Sequence, residues 1–346
     1  MHVCVIGAGP AGMSAALYLC SEGAQVTVVE RFSEKGYDRY HSICGAGISR
    51  KAFSELKYIE PVCVRNEIGR AVLHFPDGID VPMTVKGYVL DRPAFIRHYL
   101  SICRDRGCTF VHGEAENVID SGSGCTVSLK DGTEVRCDRV IACDGSSSLI
   151  RKRVFGTSPR YIGSAEEFVT EGPSEPVFHM YLEGRFNGAY RWEFPSGGNR
   201  NVGSVAGKYA PDSYMSRGIR NIPTGGVPEI EKGNVFLAGD SAAMANPICY
   251  GGLRAALLAG QEAAKAALSG KHGRYARWWN RSMMSNKRFS MMKEEIDQWT
   301  DEDYARVAEP LRHVTRLWLT GIKASILHPR YVHLYIGCLM TFRYGW

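Results

Sequence analysis

The chain opens on a run of apolar positions, Val3-Cys4-Val5-Ile6, with only His2 polar before it. An apolar run this short, bounded by glycine, predicts a buried strand of a parallel sheet. Small residues follow in Gly7-Ala8-Gly9-Pro10-Ala11-Gly12, and a small-residue helix is predicted from Met13 to about Ser21. A second apolar run, Gln25 to Val29, ends on the acid Glu30. Strand, glycine turn, helix and acid-tipped strand together form a dinucleotide fingerprint. Gly7 allows the turn, Gly9 lets backbone amides approach a pyrophosphate, and Gly12 lets helix and strand pack closely. The helix N-terminus adds partial positive charge and free N–H groups. Glu30 sits where a carboxylate can accept hydrogen bonds from a ribose.

The pattern then changes. After Glu30 a polar connection leads to Tyr40-His41-Ser42-Ile43-Cys44-Gly45-Ala46-Gly47-Ile48-Ser49, which suits an ordinary glycine loop or a backbone passing close to a flat ligand. Alternation at Ala71–Phe75 and Val81–Val85 around Pro76-Asp77-Gly78 predicts a hairpin. Asp91 suits the N-cap, and Pro93 the first turn, of a helix reaching about Arg106. Thr109–His112 reads as a third parallel strand, and a second hairpin is predicted from Val118 to Val135 around Lys130-Asp131-Gly132. At Arg139–Arg151 an apolar strand ends in Asp144-Gly145 before Ser146-Ser147-Ser148. This stretch suits a plain strand-to-helix turn or, better in this context, a second contact to the same dinucleotide. Glycines, prolines and aromatics multiply over 155–230, and Phe178–Leu182 and Ala189–Phe194 alternate cleanly. A mostly antiparallel sheet is expected there, offering one face to a large ligand. The parallel pattern returns at Asn234–Ala242. Gly251-Gly252 then opens a helix, Arg254 to Leu268, whose dipole points into the cleft.

The reading is an α/β protein. A discontinuous dinucleotide-binding domain takes 1–60, 88–155 and 230–270, and a β-sheet substrate domain takes 61–87 and 156–229. A helical C-terminal region takes 271–346. In that last region Leu311, Val314, Leu317 and Trp318 fall on one predicted helix face, with Arg312, His313, Arg316 and Lys323 on the other.

Composition changes the picture little. With 346 residues, 45% hydrophobic and 23% charged, the chain can build a real core. No leader is read before the first strand, and no run approaches the ~18–20 apolar residues of a membrane span. A cytoplasmic protein is expected. Eleven cysteines without any CxxC pair read as reduced thiols and not as a metal site. The net charge of +6 is concentrated from Lys271 onward, where Arg, Lys and His interleave with Trp, Tyr and Met. That segment suits a packed helical cap or contact with an anionic membrane surface, whereas no nucleic-acid module accompanies it.

Three stretches in order, GAGPAG…E, CDGSSSLIR and LAGDSAAMANPICYGG, resemble the FAD-binding fingerprints of the flavoproteins that include p-hydroxybenzoate hydroxylase. Within them the chain is most similar to geranylgeranyl reductases, which saturate the isoprenoid double bonds of prenyl lipids. Cys44–Ser49 resembles that family's Cys-Gly-Gly-x-x-Ser loop, and Tyr190-Arg191-Trp192-Glu193-Phe194-Pro195 with Val202-Gly203 resembles its Tyr-x-Trp-x-Phe-Pro…Val-Gly motif. The likeness covers roughly residues 1–270. It implies a GR2-type Rossmann-like FAD domain with an inserted antiparallel sheet. Gly7, Gly9, Ala11 and Gly12 would cradle the pyrophosphate, and Glu30 would hold the adenosine ribose. Ala115 would meet the adenine through its backbone. Arg92 and Asp144 would add contacts to the cofactor, and Asp240 would bind its ribityl–pyrophosphate region. Gly251, Gly252 and Leu253 would approach the isoalloxazine beside Cys44, Gly45 and Gly47. Tyr190, Trp192 and Phe194 would line an apolar substrate channel, with Cys44 or Tyr190 as proton donor. The chain departs from the pattern at Ser241, where alanine is usual, and at Ala46, where glycine is usual.

An isolated C=C lacks an electron-withdrawing group, so alkene reduction needs positioning and a proton donor beside the flavin. One glycine fingerprint leaves NAD(P)H or a small carrier such as ferredoxin as electron donor. The same scaffold also suits a monooxygenase of aromatic or lipid substrates, or a flavoprotein that binds lipid without turnover. A halogenase would want a lysine near the substrate, and the flavin-loop motifs contain none.

Overall fold

The computed structural model describes residues 1–172, 175–312, 321, 322, 324–326 and 328–346. In chain order, β1 (His2–Ile6), α1 (Pro10–Ser21), β2 (Gln25–Glu30), α2 (Glu34–Ser42), β3 (Gly47–Ser49) and α3 (Arg50–Ser54) precede a long hairpin, β4 (Val64–Phe75) and β5 (Ile79–Leu90). Next come α4 (Arg92–Asp105), β6 (Thr109–His112), a meander of β7 (Ala115–Asp120), β8 (Cys125–Leu129) and β9 (Glu134–Cys137), and β10 (Arg139–Ala142). Five strands follow: β11 (Tyr161–Glu171), β12 (Val177–Tyr181), β13 (Arg191–Ser196), β14 (Asn199–Val205) and β15 (Ser216–Thr224). The chain closes with β16 (Glu231–Lys232), β17 (Val235–Leu237), α5 (Leu253–Ser269), α6 (Arg274–Arg281), α7 (Arg288–Ile296), α8 (Asp301–Ala308) and α9 (Val332–Tyr344).

The first sheet has the order β16-β17-β10-β1-β2-β6, parallel except for β16. Its central strands are near-continuously apolar because both faces are covered. The helix pair α1 and α5 lies on one side, so close that a Cβ on Gly260 would overlap the Ala11 carbonyl oxygen. The Ser14 hydroxyl donates to the Leu257 carbonyl at 2.6 Å, which pins the two helices together. Every parallel strand points its C-terminal end toward one edge, the crevice where such sheets bind ligands.

The second sheet runs β15-β11-β14-β13-β12-β4-β5-β3, antiparallel except for the β12–β4 pair. One face buries Ile68, Leu73, Val81, Met83 and Phe178 against Ala308 of α8 and the Phe342 and Trp346 side chains. The short β3 continues the Cys44–Gly47 loop and so ties it to the sheet edge.

Three expectations are corrected. The polar connection after Glu30 contains α2, whose Tyr37 and His41, four positions apart, bury one face while charged neighbours stay outside. Beyond Asp144 the chain forms one π-helical turn, Arg151–Phe155, which ends at Gly156 in the left-handed region, φ 63°. The second hairpin is a three-stranded meander with a further turn at Ser121–Gly124. The C-terminal region is helical as read, but the helix face placed on Val314, Leu317, Trp318, His313, Arg316 and Lys323 lies outside the described residues.

Candidate active site

Backbone sterics fix the turn after β1. Gly7 has φ +92°, and a Cβ on it would overlap the Cys143 carbonyl oxygen of the neighbouring strand end. A Cβ on Gly12 would overlap the Gly7 carbonyl oxygen, so α1 can start only against glycine. Gly9 instead faces open space, with only His41 Cε1 at 3.4 Å from where its Cβ would stand. That opening leaves the N-terminus of α1 accessible from the cavity that Gly9 lines. Glu30 Oε2 accepts from the Ala8 N–H at 2.7 Å and Oε1 from the Phe32 N–H at 2.8 Å. The carboxylate is thereby fixed at the strand tip. The Tyr37 hydroxyl donates to the Ala8 carbonyl at 2.7 Å, so α2 clamps the same turn from outside.

The two other junctions are tied together by a buried arginine. Arg151 donates through Nη1 to the Ser241 carbonyl at 3.0 Å and through Nη2 to the Ser146 carbonyl at 3.0 Å. The departure at Ser241 has a structural account: its hydroxyl donates to the Ala142 carbonyl at 2.7 Å and accepts from the Ala238 N–H at 3.1 Å. Asp144 is half-buried, its carboxyl pushed up by desolvation, and its buried Oδ1 has no partner. Asp240 lies 3.7 Å from the Arg220 guanidinium. Asn246 Oδ1 accepts from the Ile248 and Cys249 N–H groups and so shapes the loop before Gly251-Gly252. Gly251 is required, because a Cβ there would overlap the Gly345 carbonyl oxygen.

The Cys44 loop rests on the aromatic sheet. A Cβ on Gly45 would come within 2.9 Å of the Phe194 ring, and one on Gly47 within 3.0 Å of the Phe178 ring. Ala46 takes φ +51°, the left-handed region, at a cost of roughly 1 kcal/mol that glycine avoids. Phe178 and Phe194 have centroids 4.1 Å apart, and Tyr190 meets Trp192 edge-on at 6.2 Å. The Tyr190 hydroxyl donates to the Cys249 carbonyl at 2.6 Å, so its proton is engaged in holding the glycine loop. Buried Arg92 donates through Nε to the His41 carbonyl at 2.7 Å, and it fixes the chain leading to Cys44.

One cavity of about 810 Å³ joins these parts. Gly7, Gly9, Ala11, Glu30, Arg92, Ala115, Asp144, Asp240, Gly251, Gly252 and Leu253 line it together with Cys44, Gly45, Gly47, Tyr190, Trp192 and Phe194. Of the residues assigned to the cofactor or the substrate, only Gly12 stays off the wall, in the helix–strand packing. The half against the parallel strands is polar. Beyond Trp192 it runs on between the second sheet and the C-terminal helices, walled by Leu73, Met83, Met180, Val307, Leu311 and Phe342.

The sequence reading missed Glu167. It sits on β11 on the cavity wall and is 5% exposed. Its Oε1 accepts from the Cys44 N–H at 2.8 Å, while its Oε2 has no partner. Burial pushes its carboxyl up to about 7, against the lowering effects of the Cys44 N–H, Arg92, Trp192 and Arg220. A signal was present in the adjacent pair Glu166-Glu167. Neighbouring positions of a strand face opposite sides, so one acid had to point at the covered face. Arg220, whose Nη1 is also buried without a partner, and the Arg151 clasp were missed too.

The residues fit an FAD. The cavity offers an open glycine at a helix N-terminus, a fixed acid at the second strand tip, and unpaired polar atoms on Asp144 and Arg220 along one wall. A family profile described as an FAD binding domain matches residues 1–42. The chain is similar to digeranylgeranylglycerophospholipid reductase 1 of Methanopyrus kandleri, with 30% identity over 305 residues, 77% of this chain and 80% of that protein. It is also similar to digeranylgeranylglycerophospholipid reductase 1 of Methanosphaera stadtmanae, with 27% identity over 88% of this chain and 87% of the other. Among solved structures, a geranylgeranyl bacteriochlorophyll reductase-like protein from Thermoplasma acidophilum shares the fold. Its TM-score is 0.78 at 21% identity, covering 94% of this chain and 95% of that one.

Proposed function

The chain belongs to the digeranylgeranylglycerophospholipid reductase family, and from that premise we propose how its cavity divides the work of saturating isoprenoid double bonds. The observation that carries this reading is the continuity of the cavity, in which a glycine-lined polar half opens directly into a long apolar half at Cys44 and Trp192. When bound and reduced, FAD supplies a hydride to one alkene carbon. Gly7, Gly9 and Ala11 would hold its pyrophosphate, Glu30 its ribose, and Asp240 with Arg220 its flavin chain.

The chain's other residues position the lipid and exclude water. An alkene offers no polar handle, so orientation comes from a close apolar sleeve. Leu73, Met83, Met180 and Phe342 supply that sleeve, and Trp192 and Phe194 press the chain toward the Cys44 loop. The second alkene carbon needs a proton. Tyr190 is committed to the Cys249 carbonyl, whereas Glu167 is buried, free at Oε2 and pushed into the range where a carboxyl is still protonated near neutral pH. Glu167 is therefore the proton source, held against the Cys44 loop by the Cys44 N–H. The electrons come from NAD(P)H or a small carrier such as ferredoxin, because the chain has one glycine fingerprint.

The test is anaerobic. The yellow protein is reduced with dithionite and mixed with a geranylgeranylated glycerophospholipid, and flavin absorbance and lipid mass are followed together. Reoxidation with two hydrogens gained per double bond is expected. Reoxidation only on admitting air, with oxygen appearing in a product, would replace the reductase with a monooxygenase.

A further inference from the structure

Far along the first sheet from the cavity, the fold gathers three cysteines that are distant in sequence. Cys20 lies in the last turn of α1, Cys103 in the last turn of α4, and Cys108 just before β6. Their sulfur atoms lie within 4.8 Å of one another. The convergence is built by the turn between α4 and β6. Gly107 adopts φ +84°, and the Cys108 N–H donates to the Cys103 carbonyl at 3.0 Å, which folds both thiols toward α1.

Cysteine is often a small buried hydrophobe, and Cys103 at 0% exposure would fit that role. Two observations go further. Cys20 is half-buried while Cys103 and Cys108 are buried, so the cluster's mouth toward solvent is at Cys20. Beside that mouth stands Arg106, whose guanidinium donates to the hydroxyl of Ser21, the residue next to Cys20.

We propose that Cys20, Cys103 and Cys108 bind one divalent thiophilic d10 cation, of the zinc class, with solvent as fourth ligand at the Cys20 mouth. Zn–S bonds of about 2.3 Å place tetrahedral sulfurs about 3.8 Å apart, so rotamer adjustments of about an ångström close the set. Three thiols release three protons as the ion binds, and no electron moves. The resulting three-thiolate centre carries one net negative charge, which the Arg106 guanidinium offsets. A monovalent ion would leave two, so the charge arrangement favours the divalent class. The bound ion would tie the end of α1 to the α4–β6 turn and stiffen the scaffold behind the dinucleotide cradle.

The test uses the reduced holoprotein after chelator treatment, titrated with Cd2+ and read by the ultraviolet thiolate-to-cadmium charge-transfer band. One ion per chain is expected. Cys20→Ser and Cys103→Ser should each weaken binding at least 10-fold, while Cys63→Ser, at an exposed cysteine, should not. Retained flavin absorbance reports that each variant is folded, and Cys20→Ser at the open mouth serves if Cys103→Ser fails to fold. Competition with a zinc-binding dye then ranks Zn2+ against Cd2+. Absence of the band, or an unchanged affinity in Cys20→Ser, would overturn the site. So would finding Cys20 disulfide-bonded in the isolated protein with no ion bound after reduction.

Discussion

A buried carboxylate that keeps one oxygen unpaired costs stability whenever it is charged, and Glu167 is in that position. Its carboxyl is pushed up to about 7 by burial, against about 4.3 for an unfolded glutamate. Between those values the folded chain holds a proton that the unfolded chain releases, so stability falls as pH rises from about 4.3 to about 7. Above that range the penalty is constant at about 3–4 kcal/mol. Glu167→Gln keeps the shape and removes the charge. Thermal unfolding should therefore show a larger gain in Tm for the variant at about pH 8 than at about pH 5. Its catalysis should move the other way, with a kcat fall of about 10²-fold. The wild-type rate should also decline as pH rises through about 7, and that limb should vanish in the variant. A limb that persists in Glu167→Gln would assign the proton to another group. The tight turn at Gly7 and Gly12 and the acid at the strand tip were legible because steric and backbone demands fix their spacing. Glu167 was obscured because a strand acid ordinarily faces water, and only the sheet pairing shows that this one does not.

At the scale of elements, apolar periodicity found the strands and α1, α4 and α5, but it passed over α2. Residues 34–42 read as polar because the helix buries only Tyr37 and His41, and its remaining surface is charged. The element still matters to the site, since the Tyr37 hydroxyl satisfies the buried Ala8 carbonyl in the middle of the phosphate turn. Tyr37→Phe leaves that carbonyl unpaired at a cost of about 1–3 kcal/mol. A lower urea midpoint is expected, together with faster loss of flavin on dilution, because the damage falls on the glycine turn that we propose holds the pyrophosphate. A lowered midpoint with flavin retention unchanged would show that α2 supports the sheet and not the cradle. The three-cysteine cluster escaped the sequence for a related reason. Its members come from the ends of three elements, and their spacing carries no short motif.

At the scale of the whole molecule, the question is how a lipid reaches an interior channel. No helix among the described residues is long and apolar enough to cross a membrane. Residues 271–346 hold thirteen Lys and Arg against seven Asp and Glu, which equals the formal excess of +6 for the entire chain. The same region exposes Met291, Ile322, Ile326, Ile336 and Leu339, with Ile326 at 74%. Leu339 lines the cavity as well, as do Met292, Leu334 and Gly321 beside these exposed positions. The outer surface of the channel wall is thus both apolar and set in a basic segment, the combination that holds a protein on an anionic bilayer. Cosedimentation with anionic vesicles is expected, weakening with added salt as charge attraction is screened. The double variant Ile326→Glu, Ile336→Glu, at exposed positions off the cavity wall, should lose vesicle binding and raise KM for vesicle-borne lipid while kcat for detergent-dispersed lipid stays near wild type. Equal vesicle binding by the double variant would place the entrance elsewhere. A fall in kcat with dispersed lipid would instead mean that these side chains shape the channel and do not serve to dock it.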